Sequence, residues 1–157
     1  MANTYTQIHI HSVFAVQNRN CVINNTWRDE LYKFITGIIH ANEHKLLIIN
    51  GMPDHIHVLF GMRPKQSLSD LMQDIKVSSS AWINERRFTK SRFSWQEGYG
   101  AFSYAKSDLP NIINYIAKQQ EHHRNIKFTI EYKKLLEEFD IAYDEKYIFK
   151  PIDIFHT

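Results

Sequence analysis

A chain of 157 residues with 43% hydrophobic and 13% aromatic side chains carries enough apolar material for one core, and it reads as a single domain over residues 1–157. The formal net charge is +2 and the pI is about 8.6, so charge permits a nucleic-acid partner without pointing to one. One cysteine, Cys21, excludes an internal disulfide and a cysteine-based zinc site. No basic start leads into an apolar leader, and runs such as Lys45 to Ile49 fall far short of the roughly 20 residues that span a bilayer. A cytoplasmic protein with no membrane partner is expected.

Tyr5 to Phe14 alternates polar and apolar residues at period two and reads as a half-buried strand ending in the turn-like Gln17-Asn18-Arg19-Asn20. Thr26 followed three residues later by Asp29 resembles a capping box. Trp27, Leu31, Phe34, Ile35, Ile38 and Ile39 then recur at helical spacing, which predicts a helix from Thr26 to Ala41. Lys45 to Asn50 and His55 to Gly61 read as two strands of a hairpin around Gly51-Met52-Pro53-Asp54. Ser67 and Asp70 open a second amphipathic helix that runs to about Phe88. The aromatic-rich segment Phe93 to Tyr104 predicts a last strand or strand pair. A third helix is expected near Asp108-Leu109-Pro110 and a fourth from Thr129 to Phe139, with the residues from Asp140 onward as an arm. The order strand, helix, strand, strand, helix, strand defines an α+β fold, a ferredoxin-like βαββαβ sandwich. Its antiparallel sheet has helices packed on one face, and further helices follow at the C-terminal end.

Histidine, at nine residues, is the enriched type with chemistry near neutral pH. Alternation in the third strand puts His55, His57 and Leu59 on one face and Ile56, Val58 and Phe60 on the other. Neighbours two apart on a strand lie about 6.5–7 Å apart, close enough for two imidazoles to converge on one metal ion. Spacing alone does not separate such a pair from two half-exposed histidines on a sheet face. His9 and His11 in the first strand have the same spacing. On the third helix Tyr115 and Gln119 fall about 40° apart on one face, beside the apolar stripe of Leu109, Ile112, Ile113 and Ile116.

The run Gly51-Met52-Pro53-Asp54-His55-Ile56-His57-Val58-Leu59-Phe60 resembles the His-hydrophobe-His motif of the single-tyrosine HUH transposases of bacterial insertion sequences, a superfamily that includes the REP-associated tyrosine transposases. Tyr115-Ile116-Ala117-Lys118-Gln119 is similar to the family's second signature, a tyrosine with a glutamine four residues on, and Trp95 to Ser103 looks like the segment that precedes the tyrosine helix. The resemblance implies a transposase, a metal-dependent endonuclease and strand transferase for single-stranded DNA. Tyr115 would be the nucleophile, joined to the DNA 5′ end as a phosphotyrosine, with His55, His57 and Gln119 holding Mg²⁺ or Mn²⁺. It also implies a homodimer and a single-stranded DNA partner bearing hairpins from the ends of a mobile element. No base is assigned to take the tyrosine proton.

Lys76, Arg86, Arg87, Lys90 and Arg92 form the densest basic stretch and are DNA-contact candidates, as are Lys118 and His122 beyond the tyrosine. A solvated helix face explains the same stretch, and for His122 and His123 the favoured reading is as solvent-facing polar residues. Two other readings use the same residues. A non-catalytic nucleic-acid-binding module would need aromatics on the central strands. A metal-dependent phosphohydrolase would keep the histidines and need no tyrosine.

Overall fold

The computed structural model describes residues 4–123 and 126–144, leaving aside the side chain of His122. Its strands are β1 (His9–Ala15), β2 (Lys45–Met52), β3 (His55–Gly61) and β4 (Gly100–Ser103), and its helices are α1 (Arg28–Ala41), α2 (Leu68–Arg86), α3 (Leu109–Ala117), α4 (Gln119–His122) and α5 (Phe128–Glu138). The four strands form one antiparallel sheet in the order β2-β3-β1-β4, which is the ferredoxin-like order the element sequence implies.

Both faces of β3 are buried, and they differ in kind. Ile56, Val58 and Phe60 point into the main core with Phe14 of β1, Leu31, Ile35 and Ile39 of α1, and Leu71, Ile75 and Ile83 of α2. Each fully buried side chain of this type is worth about 1.5–3 kcal/mol, so this layer supplies most of the force that sets the strand register. On the opposite face, Val13, Ala15 and Phe102 pack against Phe128, Leu135 and Leu136 of α5. His55 and His57 project into the space between that face and the C-terminal helices, both completely buried.

Three local expectations are corrected. No capping box forms at Thr26: the Asn24 side chain accepts from the Thr26 N–H at 3.0 Å and from its hydroxyl, and α1 starts two residues later without a side-chain cap. A local asparagine turn has outcompeted the cap. β1 begins at His9 rather than Tyr5, because β3, its partner, ends opposite it at Gly61. From Phe93 to Tyr104 only Gly100–Ser103 is a strand. Ahead of it Trp95 makes a single antiparallel bridge with Val16, through Gln17 N to Ser94 O (3.0 Å) and Gln96 N to Ala15 O (2.8 Å), while the Trp95 indole donates to Ser79 of α2 at 2.9 Å and Asn84 exchanges two bonds with the Phe93 backbone at 2.7 and 3.0 Å. Ser67 does cap α2, accepting from the Asp70 N–H at 3.1 Å. Of the arm expected from Asp140 onward, residues 145–157 lie outside the described residues.

The β2–β3 turn is held on both sides. Met52 pairs with His55, leaving Pro53-Asp54 as the turn, and the turn carbonyls accept from Val16 N (2.8 Å) and Ile23 N (3.0 Å). Gly51 lies so close to this turn that a Cβ there would sit 2.2 Å from the His55 carbonyl oxygen and 2.9 Å from the Ile56 Cα. Backbone cannot yield as a side-chain tip can. Gly51→Ala is therefore expected to destabilise the protein by about 1–3 kcal/mol, read as a lower urea midpoint with unchanged m. An unchanged midpoint would show that the turn is not held against Gly51.

Candidate active centre

β3 alternates, so His55 and His57 face the same layer, and the register of the sheet decides what surrounds them. β1 lies beside β3 with Val13 opposite His57, which brings His11 diagonally next to His57. The His11 Nε2 and His57 Nδ1 atoms are 2.8 Å apart, with the rings stacked at 5.0 Å. His55 Nδ1 is bonded to Asp54 Oδ1 at 2.7 Å. Both β3 histidines thus have Nδ1 occupied and aim Nε2 at a common point. Such outer partners fix ring orientation and tautomer.

At that point sits the Glu131 carboxylate of α5. Its Oε1 lies 3.4 Å from His55 Nε2, 3.2 Å from His57 Nε2 and 3.0 Å from His123 Nε2. Its Oε2 accepts from Gln119 Nε2 at 2.9 Å and from the Tyr115 hydroxyl. Gln119 Oε1 is in turn 3.1 Å from His55 Nε2. One carboxylate therefore joins the histidine pair to the tyrosine.

The tyrosine segment is delivered by a broken helix. α3 ends at Ala117 and α4 begins at Gln119, with Lys118 off helical geometry at φ −99° and ψ 23°. Asn50 of β2 caps the exposed end, donating to the Ile116 carbonyl at 2.9 Å and accepting from Gln120 at 3.0 Å. The side chains of Tyr115 and Gln119 both reach Glu131 across this break, and they do so within one chain.

Electrostatics separates the two histidines. Burial opposes charge on His55, but the bonds and charges of Asp54 and Glu131 outweigh it and raise the ring to about 9. Burial dominates at His57, which is lowered to about 4 despite Glu131; its far nitrogen meets the neutral ring of His11, itself pushed well below the usual range by burial and by His57. Burial works against the Glu131 charge as well, yet the bonds from His123, His55 and His57 hold the carboxyl well below its ordinary range. Burial first, then the charge of Glu131, pushes the Tyr115 hydroxyl well above the usual phenol range.

His55, His57 and Glu131 offer donor atoms within 4.8 Å of one another. Donors bound to one ion at about 2.0–2.2 Å would stand about 3–3.5 Å apart, which matches the separations around Glu131 Oε1. Two imidazoles and a carboxylate, with an amide oxygen beside them, suit a divalent metal ion.

Of the residues expected from sequence, the structure brings His55, His57, Tyr115 and Gln119 together. Glu131 and Asp54 were not singled out; His11 was noted only as sharing the spacing of the pair, and His123, expected to face solvent, instead has a side chain only 7% exposed and meets Glu131. Glu131 could have been noticed as a carboxylate on the apolar stripe of Phe128 and Leu135, and Asp54 as the residue adjoining the first histidine. The basic candidates lie elsewhere. Arg86, Arg87, Lys90 and Arg92 are exposed at and after the end of α2, and Lys118 is exposed at the α3–α4 break. The Lys76 ammonium donates to the carbonyls of Gln96 and Gly98, both at 2.7 Å. His122 belongs to α4.

This combination of sheet order, paired histidines and an adjoining tyrosine segment defines a transposase of the IS200 type. The chain belongs to the IS200-like transposase family, whose pattern it matches over residues 4–119. It is 26% identical to the transposase of insertion sequence element IS200 from Salmonella typhimurium over 148 residues, covering 91% of this chain and 90% of the relative. It is 22% identical over 120 residues to the ISDra2 transposase TnpA of Deinococcus radiodurans, covering 73% and 86%. Among solved structures, a Deinococcus radiodurans protein assigned to the transposases superposes with a TM-score of 0.62 at 21% identity over 76% of this chain and 95% of that one. A REP-associated tyrosine transposase bound to a REP hairpin superposes with a TM-score of 0.61 at 15% identity over 99% and 94%. No helix among the described residues is long and apolar enough to cross a membrane.

Two expectations follow from the centre itself. A metal ion must displace the proton that His55 retains up to about pH 9, so Mn²⁺ affinity should rise about tenfold per pH unit between about 6.5 and 8.5. The sign agrees with linkage: the proton on His55 stabilises the metal-free fold below its unfolded value of 6.5 and that contribution fades as pH rises through 9. A flat profile in calorimetric titration would contradict the His55 assignment. Separately, His11→Phe should weaken Mn²⁺ binding by about 10–100-fold through loss of the His57 Nδ1 partner, while far-ultraviolet dichroism stays unchanged; undiminished affinity would remove His11 from the site.

Proposed function

We propose that this transposase cuts and rejoins single-stranded DNA with Tyr115 as the nucleophile, using a divalent ion, Mg²⁺ or Mn²⁺, held by His55, His57, Glu131 and Gln119. The observation that supports this most directly is the shared carboxylate: Tyr115 donates to one oxygen of Glu131, and the other oxygen lies between the two β3 imidazoles. Nucleophile and metal donors are thereby within one side chain of each other.

When bound, the ion supplies Lewis-acid stabilisation of charge on the non-bridging phosphate oxygens. The chain's own groups do the rest. Raised above the usual phenol range, Tyr115 stays protonated until a phosphate is presented. Glu131 Oε2 orients the phenol by accepting its hydrogen bond, and the proton leaves as the phenolic oxygen bonds to phosphorus and the bond from phosphorus to the 3′ oxygen breaks. That proton is taken up by the leaving 3′ oxygen, which departs as a hydroxyl, and the DNA 5′ end remains on Tyr115. Because the linkage conserves the phosphodiester, a 3′ hydroxyl can reverse the step and rejoin strands without a nucleotide cofactor. Asp54 and His11 hold the rings of His55 and His57 with Nε2 forward throughout. The hairpin bound by the structurally similar REP-associated transposase makes hairpin-bearing single strands the substrate class to test, and the homodimer belongs to the same reading.

Incubated with Mn²⁺ and labelled hairpin DNA from the ends of its own locus, the protein should form a denaturation-resistant adduct that Tyr115→Phe abolishes. Cleavage that persists without an adduct in Tyr115→Phe would instead mean hydrolysis by a metal-bound water. Since Tyr115 meets Glu131 of its own chain, mixing Tyr115→Phe with His57→Ala should restore no adduct. Restored adduct in the mixture would place the tyrosine in its partner's site.

A further inference from the structure

A cleft of about 370 Å³ opens on the far side of Tyr115, walled by Tyr104, Ile112, Tyr115, Ile126, Ile130 and Leu135. Lys134 and Glu138, both exposed, also line it, as do Glu131 and His123 of the active centre. Ile130 is 58% exposed, an apolar side chain in the same cleft as Glu131, whose carboxylate accepts from Tyr115. Packing does not account for that exposure, and the metal reading does not use the cleft.

We propose that this cleft receives one unstacked nucleobase of the nucleotide adjoining the phosphate that Tyr115 attacks. The inference rests on the strand-transfer reading above and adds a base subsite to it. Tyr115 is a wall of the cleft and also the nucleophile, so a phosphate placed against its hydroxyl leaves a neighbouring nucleotide at the cleft mouth. The walls are aliphatic and aromatic, which suits the face of a base, and sequence-tolerant stacking on such walls is how single strands are held. The space suits one base and its sugar and excludes a duplex, consistent with a single-stranded substrate. Lys134 and Glu138 offer a donor and an acceptor to the base edge, the same pairing of groups by which side chains read bases elsewhere.

The test uses the full chain and two 12-nucleotide strands of equal charge, oligo(dA) and an abasic strand of the same backbone, with binding read by fluorescence anisotropy. The wild type should bind oligo(dA) about tenfold more tightly than the abasic strand. Ile130→Ser, a change at an exposed position, should lose most of that preference with no change toward the abasic strand, and Ile130→Phe should enlarge it. Equal affinity for both strands, or a preference that neither Ile130 variant alters, overturns the base subsite. Failure to bind either strand overturns the subsite, and the strand-transfer reading falls only if hairpin DNA also gives no Tyr115 adduct; adduct formation without discrimination between the strands removes the subsite alone.

Discussion

The arrangement depends on one buried carboxylate. Glu131 is 6% exposed, and an unpaired carboxylate at such a site would be costly. It is tolerated because His55, charged and tied to Asp54, stands beside it, and because His57, His123, Gln119 and Tyr115 direct polar atoms at its two oxygens. Those partners come from β3, from α3 and α4, and from the turn after α4, while Glu131 itself comes from α5. The carboxylate therefore does what a hydrophobic contact could not: it fixes the mutual orientation of three C-terminal elements relative to the sheet, and it does so with the donor set a divalent ion requires.

For that to happen the sheet must be covered on both faces by unlike layers. α1 and α2 bury a dry apolar core and set the register. The opposite layer contains the histidines, with only a small apolar cluster around Phe102, Phe128 and Leu136 beside them. Gly51 lets the β2–β3 turn close tightly, the turn carries Asp54, and Asp54 holds His55. Asn50, one residue before Gly51, seizes the end of α3. A short stretch of the hairpin thus positions the first histidine and the tyrosine segment together.

Much of this was legible beforehand, for identifiable reasons. Alternation in β3 separated His55 and His57 from Ile56, Val58 and Phe60 because a period of two has only two faces. The helical relation between Tyr115 and Gln119 survived in effect although the helix breaks at Lys118, since both side chains still arrive at Glu131. Contacts that depend on tertiary register were out of reach. Nothing in the spacing of His9 and His11 distinguishes them, and only the pairing of β1 with β3 puts His11 against His57 while His9 stays at the sheet end. Glu131 is remote from every motif, and its role arises from α5 folding back across the sheet. The strand or strand pair expected over Phe93 to Tyr104 is reduced to Gly100–Ser103 and one bridge at Trp95 for the same reason: Trp95 and Phe93 found partners on α2 that local propensity does not reveal.

The central claim is that Glu131 and the β3 histidines form one metal centre next to Tyr115. Soaking crystals of the protein in Mn²⁺ and recording anomalous diffraction tests it most directly. The account predicts a single strong peak bonded to His55 Nε2, His57 Nε2 and a Glu131 oxygen, with the Tyr115 hydroxyl close by. A peak elsewhere, or an ion on the histidines with Glu131 turned away toward solvent, would contradict it.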